Sequence, residues 1–450
     1  MTNWDWLVIL LYFSGIIAYA VYRSRTQRSQ KDYYLAGRKI RWWQSGVSTM
    51  ATQLGAISFV SAPAFVALKD GGGMKWLCYE FGVPLGLLLV IVLIIPILHR
   101  HGYISIYEYL ERRFDRRTRS LVSILFQLGR GLATAVSVLA GGLILSTALP
   151  LSTTQAIILI GAVTIIYDAL GGIRVVILSD FFQMLIIGLG IGICGMAALW
   201  LVGWDAAWQA LDPERLRILD FRHWGVTPEG EYSFWPMAIG GIFLYASYYG
   251  CDQSQVQREL SVGSLRGVRK SLIFNAFGRF PVVFLYCLMG VFVGAIFASP
   301  DLLGQVATRL NMDIGTVTQT LQADPDRMVP MFVLSFLPPG LVGFIFIAIM
   351  SALMSSLDSA INSLSAVTHA GFLSSLCQTG SRRSALPGGF QGHDNALGNF
   401  LCSGGAGLRQ FRCGNAADHN CFNQRGWESF IRTDSGRVCH RHGFQRCYLI

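Results

Sequence analysis

Oxygen-bearing side chains recur at helical spacing inside the most apolar parts of this chain. Between Ile347 and Val367 the residues run I-A-I-M-S-A-L-M-S-S-L-D-S-A-I-N-S-L-S-A-V, and Ser351, Ser355, Asp358, Ser359 and Asn362 follow one another three or four positions apart. That spacing puts them on one face of a helix, with Ser356 beside Ser355. A hydroxyl stripe with one carboxylate is a donor set for a cation or a proton. The alternative, in which the serines bond back to the preceding turn and serve as small packing residues, is opposed by Asp358. An Asp at the centre of a membrane helix costs about 2.5 to 3.5 kcal/mol on insertion scales and is kept where it has a cation, proton or basic partner.

Three other stretches carry polar groups in apolar surroundings. Gln44 to Leu68 holds Ser45, Ser48, Thr49, Thr52, Gln53, Ser58 and Ser61, with Gly46 and Gly55 inside and Pro63 near the end. This pattern predicts a broken helix, whose freed carbonyls near Gly55 could ligate a small hard cation such as sodium; a kinked helix packed through small residues is the other reading. Asp180, in I-L-S-D-F-F-Q, falls about 9 Å inside a helix starting at Arg174. It either pairs with Arg174 or belongs to a second cation site. The run Tyr245-Ala-Ser-Tyr-Tyr-Gly-Cys-Asp-Gln253 sets aromatics and amides beside a glycine. Its rings either cover a solute or sit at an interface, and Asp252 either faces that solute or caps a helix. The chain lacks a phosphate-binding glycine loop, a zinc-protease helix and a nucleophile elbow, so neither an enzyme nor a cofactor is expected.

The elements that must position these groups follow from composition. Of 450 residues, 52% are hydrophobic and 14% charged, and mean hydropathy is +0.46. A soluble domain carries about 25% charge, so the apolar surplus must face lipid. The net charge of +10 is gathered in short loops, which fits the positive-inside pattern better than nucleic-acid binding. Runs of spanning length fall at nine places: 4–22, 44–68, 76–98, 119–148, 153–170, 174–202, 235–256, 271–298 and 329–367. Basic clusters around Arg23 to Arg41, Arg100 to Arg119 and Arg258 to Lys270 alternate with acidic loops at Asp205 to Glu231 and Asp301 to Asp326. The basic loops are therefore read as cytoplasmic and the N-terminus as outside. The acidic connection from Leu302 to Leu321 has helical patterning. Cys78, Cys194, Cys251 and Cys287 lie singly in apolar stretches and read as packing residues.

The chain resembles the solute:sodium symporter family. The resemblance rests on Asp32-Tyr33-Tyr34-Leu35-Ala36-Gly37-Arg38, on Gly171-Gly172-Ile173-Arg174 followed by Ser179-Asp180-Phe181-Phe182-Gln183, on Asp252-Gln253 with Val256-Gln257-Arg258, and on the serine-rich helix. It covers residues 1–370 and implies an all-α, multi-pass membrane protein with an inverted-repeat, leucine-transporter-like fold of five plus five helices. The segment 4–22 would be an extra N-terminal helix, 44–202 the first repeat and 235–370 an incomplete second one. The implied broken helices are 44–68 and 235–256. The resemblance further implies a main sodium site of the Ala51, Leu54 and Ala352 carbonyls with the Ser355 and Ser356 hydroxyls, and a second site at Asp180 and Ser359, where Asp358 replaces the Ser or Thr of other members. It puts the solute against Gln53, Ile57, Ser58, Tyr248, Tyr249 and Asp252, with Tyr248 as an inner gate.

The implied activity is sodium-coupled uptake of a small organic solute, such as a sugar, carboxylate or amino acid, across the cytoplasmic membrane. The alternatives are a non-transporting membrane protein, either a truncated product or a sensor-like relative, and a proton-coupled symporter using Asp180 and Asp358. After about Gly371 the texture changes. Six cysteines and only arginine as basic residue occupy 371–450, with no further spanning run. This composition predicts a disordered tail; an out-of-frame translation would account for it, while zinc at its histidines lacks a close cysteine pair.

Overall fold

A computed structural model describes residues 2–24, 30–101, 103, 105–146, 151–225 and 232–368. The tail at 371–450, with its cysteines and histidines, lies outside the described residues. The helices, in chain order, are α1 Asn3–Ser24, α2 Gln30–Leu35, α3 Trp42–Gln53, α4 Ala62–Ala67, α5 Cys78–Leu89, α6 Ile95–His101, α7 Tyr107–Arg113, α8 Arg116–Ser146, α9 Thr153–Val202, α10 Trp204–Gln209, α11 Pro213–Leu216, α12 Phe234–Cys251, α13 Gln253–Leu260, α14 Leu265–Ala298, α15 Pro300–Leu310, α16 Ile314–Ala323, α17 Met328–Phe336 and α18 Leu341–Thr368.

Lipid is written on the outer faces. Along α8, Leu121, Leu125, Leu128, Leu132, Val136, Leu139 and Leu143 are all exposed, a stripe at three- and four-residue spacing that only an apolar solvent would accept. At the other extreme, 83% of the apolar window of α18 is buried, against 22% for α1 and for α8. The serine-rich helix is thus the axis of the bundle, which explains how it carries so many oxygens without meeting lipid. α1 is fastened to it at two levels. Asp5 accepts the Gly340 and Gly343 amides at 2.7 and 2.9 Å, neutralising free N–H groups at the start of α18. One side of α1 further in, the Tyr12 hydroxyl lies 2.7 Å from that of Ser351.

The broken helix expected at 44–68 is present: Trp42–Gln53 and Ile57–Ala67 meet at 65°, with Leu54 (φ −87, ψ 71) out of helical geometry. Elsewhere the expected spans need correcting. Six single helices are long and apolar enough to cross a membrane, or seven counting the bent pair, among the described residues, where nine runs were expected. The runs 153–170 and 174–202 are, as expected, two helical halves: α9 is interrupted between them at Gly172, whose backbone is not helical (φ 55, ψ −172). A side chain at Gly172 would strike the Tyr33 ring and carbonyl at 2.7 and 2.8 Å, so the two family motifs meet here. The run 235–256 breaks only at Asp252 (φ −82, ψ 120), toward its end and not at mid-span, because Asp252 caps α13 by accepting the Ser254 amide at 2.8 Å. The run 329–367 is two helices, α17 and α18, separated at Pro338-Pro339-Gly340, where Gly340 has φ 88. The helical patterning of 302–321 is realised in α15 and α16.

The three basic connections come together. Ile40 donates its amide to the Ser261 carbonyl at 3.3 Å, and Leu35, Leu98, Tyr103, Tyr107, Val256 and Leu260 form one apolar cluster.

Two helices approach at backbone distance. A Cβ at Gly82 on α5 would lie 2.5 Å from the Ala238 carbonyl oxygen on α12 and 2.7 Å from the Ile242 nitrogen, the close packing that small residues permit in membranes. Gly82→Ala is therefore expected to destabilise by about 1 to 3 kcal/mol, the usual cost of overpacking, whereas Gly192→Ala, with nothing within 4 Å, should be neutral. Melting temperatures of the two variants in detergent check this.

Candidate functional site

The last carbonyls of a helix lack intrahelical partners, and in a bilayer they cannot turn to water. At the end of α3 two of them are met by the serine pair of α18. The Ser355 hydroxyl reaches the Ala51 and Ala352 carbonyls, both at 3.1 Å. The Ser356 hydroxyl reaches the Thr52 carbonyl at 3.0 Å and that of Ala352 at 3.4 Å. Four of the five groups implied for the main sodium site, Ala51, Ala352, Ser355 and Ser356, thus lie in direct contact; Leu54 follows at the break, buried to 4% exposure. Gly55 keeps this junction open: a Cβ there would stand 3.3 Å from the Ser356 hydroxyl oxygen.

One turn toward the basic end, a charged network crosses four helices. Asp180 is not paired with Arg174. Its carboxylate accepts the Arg258 guanidinium at 2.9 Å and the Ser48 hydroxyl at 2.5 Å. Arg258 also donates to Ser48 at 2.6 Å, to the Ser254 carbonyl at 2.6 Å and to the Ser359 hydroxyl. Arg258 reads from the sequence as a loop charge, yet it is 1% exposed. A guanidinium therefore stands at the two residues, Asp180 and Ser359, expected to form a second cation site. The reason is α13: a largely polar helix begun by the Asp252 cap, buried along its whole length, that turns Arg258 inward. Asp358 accepts the Tyr167 hydroxyl at 2.5 Å and that of Ser359 at 3.2 Å. Asp168 accepts from Asn362 at 3.1 Å, and Asn362 in turn accepts from Gln257 at 2.7 Å.

A cavity of about 360 Å³ opens on the other side of the break. Gln53, Ile57, Ser58 and Tyr248 line it as expected, together with Thr52, Tyr245, Ser356, Arg130 and Arg279. Tyr249 stands outside this lining; it is fully buried, and its hydroxyl donates to Asn275 at 3.3 Å. Asp252 is likewise not a wall of the cavity and faces Arg130 at 3.5 Å. Arg279 pairs with Glu80 at 2.9 Å and donates to the Tyr245 hydroxyl at 2.7 Å. Several polar atoms near the cavity have no partner among the described residues: both amide atoms of Gln53, Nε of Arg130 and Nη1 of Arg279. The two arginines escape a reading by sequence because each is a single charge inside an apolar run, Arg130 within 119–148 and Arg279 within 271–298. The one available signal is that an arginine inside an apolar run faces protein or a cavity.

Removing one member of a buried ion pair strands the other and costs about 3 to 5 kcal/mol, while removing both costs far less. Arg258→Gln is accordingly expected to lower the melting temperature more than the double variant Asp180→Asn with Arg258→Gln. A double-mutant cycle by thermal unfolding in detergent measures that coupling.

The described fold agrees with what the chain is similar to. The sodium:solute symporter family model matches residues 33–385. The human sodium/iodide cotransporter is 28% identical over 374 residues, 81% of this chain and 55% of the relative. Human sodium-coupled monocarboxylate transporter 2 is 28% identical over 384 residues, 83% of this chain and 58% of the relative. The sodium/glucose cotransporter of Vibrio parahaemolyticus is 28% identical over 383 residues, 81% and 67% of the two chains. The chain thus spans little more than half the length of the two human relatives. A Na+-coupled sialic acid symporter, solved in a substrate-bound outward-open state, superposes with a TM-score of 0.73 at 22% identity, covering 94% of this chain and 84% of that one. At that identity the likeness speaks for the fold, which is the expected leucine-transporter-like one. With the family match extending over most of its length, the chain belongs to the sodium:solute symporter family.

Proposed function

We propose that this protein is a sodium-coupled symporter of a small carboxylated or similarly polar solute, working by alternating access, and a transporter with no enzymatic step. The observation that carries the reading is the contact of the Ser355 and Ser356 hydroxyls with the Ala51 and Thr52 carbonyls at the break after α3. Sodium bound there takes Ala51, Leu54, Ala352, Ser355 and Ser356 as ligands, the hydroxyl hydrogens turning outward as the oxygens turn to the ion. The polar surroundings of this junction are enclosed. Asp168, Asp180 and Asp358, each at most 1% exposed, face a single buried guanidinium, Arg258. Arg258 takes the second-site position as a tethered cation, Asp180 and Ser359 being its ligands.

Ion and solute share a wall. Ser356 and Thr52 touch each other and both line the cavity, so sodium that fixes the break also fixes the side of the cavity carrying Gln53, Ile57 and Ser58. Coupling then needs sodium to bind the outward-open state better than the inward-open one. One positive charge moving through 100 mV releases about 2.3 kcal/mol for uphill uptake. The unpartnered donors of Arg130 and Arg279 suit a solute with acceptor oxygens, as the monocarboxylate and sialic acid transport named for two relatives would require. Tyr248, 6.0 Å from the Arg130 guanidinium carbon, is the gating ring. In the cytoplasmic membrane the joined basic connections face the cytoplasm and the N-terminus faces out.

Sodium should raise the melting temperature of the purified chain, a ligand at 100 times its Kd adding about 2.7 kcal/mol. Potassium should not, and Ser355→Ala with Ser356→Ala should abolish the effect; a sodium shift that survives both changes overturns the site. Arg130→Gln should weaken sodium-dependent uptake of small carboxylates into proteoliposomes by about 10- to 100-fold, the range for losing a hydrogen bond to a charged group. Unchanged carboxylate uptake in that variant overturns the solute class.

A further inference from the structure

The motif ending at Arg38 has no part in the ion site or the solute cavity, yet the chain goes to some length to hold it. Ala36, Gly37 and Arg38 all have positive φ, at 50, 61 and 57°. Two of these are not glycine, a conformation that clusters at clamps and ligand sites. The turn is pinned against the start of α14: Ile40 pairs with Val262, and a Cβ on Gly263 would lie 2.6 Å from the Arg38 carbonyl oxygen.

The result is an open cavity of about 460 Å³, lined by Arg38, Lys39, Arg41, Trp42, Trp43 and Ser264 among others, with no carboxylate among the described residues of its wall. None of its three basic side chains enters an ion pair among the described residues. Nη2 of Arg38 is buried and has no hydrogen-bond acceptor among the described residues. Ser264 caps the 34-residue α14 by accepting the Gly267 amide at 3.1 Å, so the positive end of that helix also faces this end of the cavity. Both tryptophans are anchored, Trp42 edge-on to Phe274 and Trp43 to Phe181. Trp42 stays 39% exposed, as rings at a membrane interface do.

We propose that this cavity binds a phosphate-bearing anion, with the headgroup of an anionic phospholipid or a free phosphate as the two possible sources. A guanidinium fork, two further basic groups and a helix N-terminus supply the charge, and the flanking tryptophans would bracket an acyl chain if the phosphate belongs to a lipid. The inference is independent of the transport reading, since it uses none of the residues placed at the ion or the solute.

The test uses the full chain in nanodiscs of phosphatidylcholine, into which phosphatidylglycerol of the same acyl chains is titrated, and separately in detergent titrated with inorganic phosphate against chloride of equal ionic strength. Melting temperature is the readout. Phosphatidylglycerol should raise it saturably, and Lys39→Gln with Arg41→Gln, both exposed positions, should weaken half-saturation about 30-fold, the loss for two basic residues near a charged surface. Arg38→Gln should do at least as much, and the sodium-dependent shift should persist in every variant, which separates a lost anion site from a lost fold. A saturable, variant-sensitive shift with inorganic phosphate alone supports the site with a soluble source; a shift with phosphatidylglycerol only supports the lipid. No shift with either probe, or a shift that the variants leave unchanged, overturns the proposal.

Discussion

A helix that stops inside a bilayer exposes carbonyl oxygens that water cannot reach, and the fold is arranged around satisfying them. α3 ends at Gln53, and the oxygens released there are met by hydroxyls on α18, the most deeply enclosed helix among the described spans. The other features follow from keeping that junction in place. Gly55 leaves room for the serine oxygen, Asp5 pins the start of α18, and Pro338-Pro339-Gly340 lets α18 begin at its own angle after α17. A hydroxyl pointing at a carbonyl is a satisfied pair, and it is equally a set of oxygens that a small cation can claim. The stability requirement and the proposed ion site are the same contact.

The charges obey the same logic. Burying Asp180 alone would be prohibitive, and burying Arg258 alone equally so. Together, with Ser48 bridging them and Ser254 and Ser359 accepting two further guanidinium donors, they tie α3, α9, α13 and α18 into one unit. Asp358 and Asp168 take neutral donors, from Tyr167 and Asn362. Around the solute cavity the arginines are paired but not saturated, which leaves directional donors for a guest without leaving a bare charge when it departs.

Much of this was readable residue by residue. The run of hydroxyls from Ser351 to Asn362, the break near Gly55, the bend at the Gly171-Gly172 pair and the contact of the broken helix with Ser355 and Ser356 all come from local spacing or family motifs, and the structure has each of them. The misjudged elements share a cause. The break of 235–256 falls at Asp252 and that of 329–367 at a Pro-Pro-Gly turn, and hydropathy registers neither a capping aspartate nor such a turn within an otherwise apolar stretch. Tyr249 looked like its neighbour Tyr248, but successive residues on a helix point about 100° apart, and only one can face the cavity. Arg258 looked like a loop charge because α13 is too short and polar to resemble buried structure.

The amino-acid sequence by itself determined the class of solvent, the approximate spans, the polar stripe on α18 and the weak point in the first broken helix. Each depends on neighbours within a few turns, and lipid imposes so uniform a demand for apolar residues that every exception stands out. Only the tertiary structure decided which exceptions meet. Arg258 finds Asp180 across 78 positions, Arg279 finds Glu80 across 199 and Asp5 finds Gly343 across 338. Pairing of buried charge is governed by distances of a few ångströms between helices, and the pattern along one helix carries no record of what stands opposite.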